Sequence, residues 1–156
     1  MKIYIDGACS VHTTKNGSWA YVVVVDDKVV HEDSGFETGT TNSRMELMSA
    51  KEALRWLWGN TFSSAEILSD SSYLVDGVTK WMSKWKTNGW LTSAGEPVKN
   101  KDLWELINFA CIPHDYLKWT WVKGHNGDKW NEHVDSLCRL IAEQTPVGEL
   151  KLAENC

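Results

Sequence analysis

The chain has 156 residues, 42% hydrophobic and 24% charged, with a formal net charge of −5. That length predicts one domain with a real core, and the balance excludes disordered and fibrous classes. No apolar run approaches the roughly 20 residues of a membrane span and the N-terminus has no signal-like apolar segment, so a soluble cytoplasmic protein without a membrane partner is expected. Cys9, Cys111, Cys138 and Cys156 are scattered with no C-x-x-C spacing, which argues against a structural zinc site or a disulfide framework.

In chain order, Lys2-Ile3-Tyr4-Ile5-Asp6-Gly7 predicts a buried strand that ends on an acid. A strand-end Asp capping the next turn would explain it. A polar, turn-like stretch from Ser10 to Gly17 follows, then strands over Ser18 to Val25 and Val29 to Phe36, joined closely enough to imply an antiparallel meander. Helix signals open at Thr40-Thr41-Asn42-Ser43-Arg44-Met45-Glu46, where Ser43-x-x-Glu46 has the capping-box spacing and Asn42 competes as the cap. Leu47, Ala50, Leu54, Leu57 and Trp58 then recur at helical spacing up to Gly59-Asn60.

Ala65 to Asp70 is a second strand ending on an acid; the intervening helix predicts a parallel, right-handed crossover from the first. Residues 71 to 111 read as helices: Ser71 caps Tyr73 to Val78, a Trp-rich segment runs from Thr79 to Trp90, and Lys101 to Cys111 follows the loop Leu91 to Asn100. Tyr116 to Lys123 alternates as a strand, Gly124-His125-Asn126-Gly127 is a loop, and Asn131 to Ala142 is a final helix. The expected architecture is α/β, with the chain from 1 to about 143 as a single domain and 144 to 156 as a frayed tail.

Ligands of open sheets collect at the carboxyl ends of parallel strands, where Asp6 and Asp70 stand. Glu46, in the first turn of the linking helix, and Asp135, early in the last helix, can face the same edge. Each has an ordinary explanation: a capping box for Glu46, a helix cap for Asp70, an i, i+4 pair with Arg139 for Asp135. Together, four carboxylates repel by about 1 to 4 kcal/mol per pair at about 4 Å, so a cation is expected among them. All-oxygen ligands without a His or Cys pair favour Mg²⁺ or Mn²⁺ over zinc. Such a cluster suits two-metal phosphodiester hydrolysis.

Ile5-Asp6-Gly7, Thr40 to Met48, Ile67 to Ser71, Pro97 to Trp104, and Trp121 to His125 through Asn131-Glu132 to Asp135 resemble bacterial-type, type 1 ribonuclease H, in order and with compatible spacing over residues 1 to about 143. The resemblance implies the ribonuclease H-like fold, a five-stranded mixed sheet of three antiparallel strands and two parallel ones flanked by helices. It implies Mg²⁺-dependent endonucleolytic cleavage of the RNA strand of RNA·DNA hybrids, leaving 5′-phosphate and 3′-hydroxyl ends, with two ions once substrate is bound and Mn²⁺ able to substitute. Asp6, Glu46, Asp70 and Asp135 would be the metal-binding catalytic carboxylates. His125 would assist proton transfer or product departure, although an ordinary loop histidine reads the same way without the resemblance. Cys9, Thr41, Asn42, Ser43 and Ser71 would contact substrate, the helix N-terminus offering phosphate or 2′-hydroxyl contacts.

Lys80, Lys84, Lys86, Lys99 and Lys101 face only Glu96 between positions 80 and 101, a net +4 that leaves −9 for the rest of the chain. Interleaved with Trp81, Trp85 and Trp90, they predict a basic handle that neutralises phosphates, with Trp81 and Trp85 also packing inward. Lys84, Trp85, Lys86, Trp81, Trp90 and Lys99 are therefore expected to bind substrate. Two departures from the family pattern stand out: Ser10 to Gly17 replaces its Gly-Asn-Pro-Gly turn, and Gly95-Glu96 falls where lysines are common. Weaker, strongly salt-dependent hybrid binding by a monomer follows. The alternative is a catalytically silent hybrid- or duplex-binding module of the same fold, which would gain from losing the carboxylate repulsion. A carbohydrate-binding module would explain the ten tryptophans but neither the acids nor the lysines.

Overall fold

The computed structural model describes residues 1–10, 16–60, 64–114 and 116–144. Strands β1 (Lys2–Cys9), β2 (Gly17–Val25) and β3 (Lys28–Glu37) form an antiparallel meander. Asp26 and Asp27, with φ of 51° and 56°, make its tight β2–β3 turn, a conformation that Asp tolerates better than most residues. Strand β4 (Ala65–Ser69) pairs parallel with β1, and β5 (Leu117–Trp121) pairs parallel with β4, giving the order β3-β2-β1-β4-β5. This is the expected α/β, five-stranded mixed sheet. The Ser10 to Gly17 turn falls partly, and the expected tail almost wholly, outside the described residues.

Residue parity on β1 divides the core. Ile3 and Ile5 face helix α1 (Asn42–Trp58) and helix α4 (Lys101–Cys111), where Leu47, Leu54, Leu57, Trp104 and Ile107 are fully buried. Tyr4 points the other way with Ala20, Val22 and Leu68, covered by Val134 and Cys138 of helix α5 (Lys129–Gln144). Three elements that feed the carboxyl edge of the parallel strands are thus fixed by apolar burial on both faces, at about 25 cal/mol per Å² of area removed from water.

Helices α2 (Ser72–Asp76) and α3 (Met82–Asn88) are joined by a π-helical turn, Gly77–Trp81. Gly77 abuts the Trp104 ring so closely that any Cβ there would strike it. A widened turn is how a helix absorbs one extra residue where packing fixes both of its ends. Gly89, at φ 77°, ends α3 in the left-handed conformation that favours glycine.

Three boundaries beside the carboxylates differ from the sequence expectation. Strand β1 does not stop at Asp6: it stays paired with β2 as far as Cys9. Helix α1 is capped by Thr41, whose Oγ1 accepts from Arg44 N at 3.1 Å, so Asn42 and Ser43 lie inside the helix and the Ser43–Glu46 capping box does not form. Helix α5 starts at Lys129 rather than Asn131, because the Asp128 carboxylate accepts from Trp130 N at 3.0 Å and Asn131 N at 3.1 Å.

Candidate active site

The last parallel pair between β1 and β4 is Tyr4 with Leu68, after which β1 continues along β2 alone. A notch opens between the strands, with Asp6 on one side and Asp70, just beyond Ser69, on the other. Asp6 shares the parity of Tyr4 and so approaches from the α5 face, while Glu46 comes from α1 on the opposite face. Gly7 lets them meet. It faces α1, and a Cβ there would overlap the backbone of Met45 and Glu46. The Gly7 N–H also donates to Asp6 Oδ1 at 2.9 Å.

Carboxylate oxygens of Asp6, Glu46 and Asp70 lie within 4.8 Å of one another. Asp6 is 4% exposed, and Glu46 Oε2 is buried with no hydrogen-bond partner among the described residues. Burial, then the charges of Asp70 and Asp135, push the Asp6 carboxyl up to about 8. Burial, followed by Asp6 and Asp70, holds Glu46 well above the usual carboxylate range. Asp70 is raised by burial and then Asp135, with His125 and the Asn131 amide pulling it back down. A cluster that resists ionisation by its own repulsion, and that contains an orphaned buried oxygen, is one a divalent cation would complete.

The turn carrying Asp70 is tied at several points. Ser69 Oγ accepts from Ser71 N at 3.0 Å, Val122 N donates to the Ser69 carbonyl at 2.9 Å, and the Trp121 indole donates to the Asp70 carbonyl at 3.1 Å. Asn131, 3% exposed, lies close enough for its amide to favour the charged Asp70 carboxylate. Neither Trp121 nor Asn131 was distinguishable in the sequence as a support of Asp70, since nothing in a strand-end Trp or a helical Asn reveals a contact some 50 or 60 residues away.

Asp135 does not join the close trio. It pairs with Arg139 at 3.2 Å, one helical turn on, yet lies near enough for its charge to act on both Asp6 and Asp70. His125 is exposed, in a left-handed turn at φ 54°, and its loop packs on Asp70: a Cβ on Gly124 would sit 3.0 Å from Asp70 Oδ2.

The other expected contacts fall into two groups. At the α1 N-terminus, Asn42 Oδ1 accepts from Cys9 N at 2.5 Å, which pins the exposed Asn42 beside β1 with Thr41 and Ser43 next to it. Ser71 Oγ is occupied as a cap, accepting from Leu74 N at 3.2 Å. In the handle, Trp85 packs at tilted angles against Trp81 at 5.9 Å, Trp90 at 6.1 Å and buried Trp104 at 5.3 Å, so the tryptophans form a ladder reaching from the core to the surface. Lys84, Lys86 and Lys99 are exposed and, among the described residues, lack an anionic partner, whereas Lys80 pairs with Asp76 at 3.1 Å and Lys101 with Glu105 at 3.7 Å.

An open mixed sheet with a partly buried all-carboxylate cluster at its parallel carboxyl edge defines a class of hydrolase that works with divalent cations. The family model for RNase H matches residues 1–143, and the chain belongs to the ribonuclease H family. It is 45% identical over 135 residues to the ribonuclease H of Alcanivorax borkumensis, covering 86% of each chain. With the ribonuclease H of Hahella chejuensis it shares 44% identity over 149 residues, 96% of this chain and 97% of that one. Among solved structures, a type 1 RNase H with the type 2 active-site motif superposes with a TM-score of 0.77 at 28% identity, over 92% of this chain and 72% of that one. A foamy viral protease-reverse transcriptase in complex with RNA/DNA hybrid has the same fold, with a TM-score of 0.83 at 16% identity over 92% of this chain and 20% of its own.

Proposed function

We propose that this chain is an endoribonuclease that hydrolyses the RNA strand of RNA·DNA hybrids, giving 5′-phosphate and 3′-hydroxyl products. The observation that carries the reading is the Asp6, Glu46 and Asp70 trio, oxygens within 4.8 Å, with one Glu46 oxygen buried and unpartnered among the described residues. These three, with Asp135, would hold two Mg²⁺ ions once substrate is bound, and Mn²⁺ would substitute, as both prefer oxygen ligands. Bound metal supplies a water acidic enough to attack at neutral pH and charge to steady the leaving oxygen.

The protein's own groups do the rest. Gly7 and the Asp70 turn hold the carboxylates in register before substrate arrives, so little reorganisation is needed on binding. His125, on the loop against Asp70, would shuttle a proton or hasten product departure. The α1 N-terminus, with Thr41, Asn42 and Ser43 beside Cys9, contacts the backbone or a 2′-hydroxyl. Lys84, Lys86 and Lys99, on their Trp81, Trp85 and Trp90 support, take up phosphates further along.

Residues 1–143 act as one domain, monomeric and cytoplasmic; among the described residues no helix is long and apolar enough to cross a membrane. The test is incubation with an end-labelled RNA strand presented single-stranded, in duplex RNA and in RNA·DNA hybrid, with Mg²⁺ or with chelator. Cleavage only of the hybrid and only with metal is expected, with products that a 5′-phosphate-dependent exonuclease then degrades. Equal cleavage of all three substrates, or cleavage in chelator, would overturn the reading.

A further inference from the structure

Arg44 sits two residues before Glu46 and reaches out of the catalytic helix to the base of the handle. Its guanidinium donates Nη1 to Asp102 Oδ1 at 3.1 Å and Nη2 to Asp102 Oδ2 at 2.9 Å, a two-pronged pair, and Nη1 also reaches Asn100 Oδ1 at 3.3 Å. Asn100 follows the exposed Lys99 and holds a left-handed conformation at φ 60°. Its amide continues the chain of bonds to the Tyr73 hydroxyl at 3.4 Å, which in turn accepts from Trp104 Nε1 at 3.1 Å. On the other side of Lys99, buried Val98 donates its N–H to the Trp90 carbonyl at 2.9 Å. Lys99 therefore stands on a backbone fixed from both sides, and Arg44 adds a directional polar tie between that backbone and α1, beside the apolar packing of α1 on α4.

As a stability device the pair is weak: the side chains of Arg44 and Asp102 are 30% and 64% exposed, and ion pairs at such exposure contribute little. As an orienting device it is strong, because a planar fork fixes both separation and angle where a point charge fixes neither. The geometry points to Arg44 as a positioning residue that sets the register between the handle and the carboxylates, acting through Asp102 and Asn100. It would make a hybrid gripped at Lys99 present its RNA strand at Glu46. This rests on the hybrid-cleaving reading above.

Hybrids of graded length separate the two. The shortest hybrids that are cleaved use the carboxylate edge alone, and longer ones add the handle. Arg44→Met and Asp102→Ala should leave kcat/KM on the shortest hybrids unchanged and reduce the gain seen with longer ones by about fivefold, through KM. Arg44→Lys, which keeps the charge but loses the fork, should behave like Arg44→Met. The Asp102→Ala result discriminates sharply. If Arg44 merely touched phosphate, deleting the neighbouring anion would tighten binding; the positioning role predicts that binding weakens. A loss shared equally by all lengths, a wild-type-like Arg44→Lys, or tighter binding by Asp102→Ala would overturn the proposal. Failure of the wild type to cleave hybrid of any length would instead overturn the ribonuclease reading on which it stands.

Discussion

The absent side chain of Gly7 is the space that the backbone of Glu46 occupies. Helix α1 seats directly on β1 at this point, a Cβ on Gly7 having nowhere to go but into the Met45 and Glu46 backbone. Gly7→Ala should push the first turn of α1 away and separate Glu46 from Asp6. A loss of about 2 kcal/mol or more in stability is expected from overpacking, with metal affinity falling alongside. Denaturant unfolding and a Mg²⁺ titration check both; wild-type metal affinity in a folded variant would show that the close approach does not set the site.

Metal-free stability should depend on pH through the same cluster. Unfolded, Asp6 titrates at about 4; folded, it is pushed up to about 8. The folded state then holds a proton that the unfolded chain has released, so stability is greatest below about 4 and is lost as pH rises toward about 8. The raised Glu46 and Asp70 carboxyls add in the same direction. Melting in chelator should fall by roughly 5 to 10 °C between acid and mildly alkaline conditions, and Mg²⁺ should restore it at the alkaline end. A melting temperature that rises over that interval in chelator would contradict the burial argument.

The β1–β3 meander, the parallel crossover and the acids near the carboxyl edge were legible because each rests on a local signal: an apolar β-branched run in β1, helical spacing after Thr41, an acid just past β4. Glu46 was legible only in part. Its spacing from Ser43 imitated a capping box, and only the structure, by giving the cap to Thr41, removes that ordinary explanation. The Asp128 cap was missed because the turn glycines and His125 before it masked a helix start. The π-helical turn was not legible at all: it answers to the Trp104 ring against Gly77, a contact 27 residues distant in sequence. Asn131 and Trp121 belong to the same kind, being ordinary residues made important by what folds beside them.

His125 lies on a loop whose neighbour Gly124 touches Asp70, yet it is exposed and contributes nothing to the core. His125→Ala should therefore leave melting unchanged and lower kcat by about a hundredfold, with KM barely moved. Steady-state kinetics on hybrid would show it. An unchanged kcat would return His125 to an ordinary loop residue.

Hybrid binding should weaken steeply with salt. Lys84, Lys86 and Lys99 are the exposed handle cations without an anionic partner among the described residues, and each phosphate contact contributes about 0.9 to the slope of log affinity against log salt. Replacing all three with Gln should reduce that slope by about 3 and leave cleavage at saturating hybrid intact. Binding isotherms at several salt concentrations read the slope; an unaltered value would place the grip elsewhere.

The central claim is that Asp6 is kept ionisable, at a cost to the fold, for the sake of a metal-dependent cleavage. Asp6→Asn tests it in one comparison, cleavage of end-labelled RNA·DNA hybrid with Mg²⁺ set beside thermal melting in chelator. The account predicts that cleavage disappears while the metal-free protein melts at the same temperature as the wild type or higher. Retained cleavage, or a large drop in metal-free stability, would contradict it.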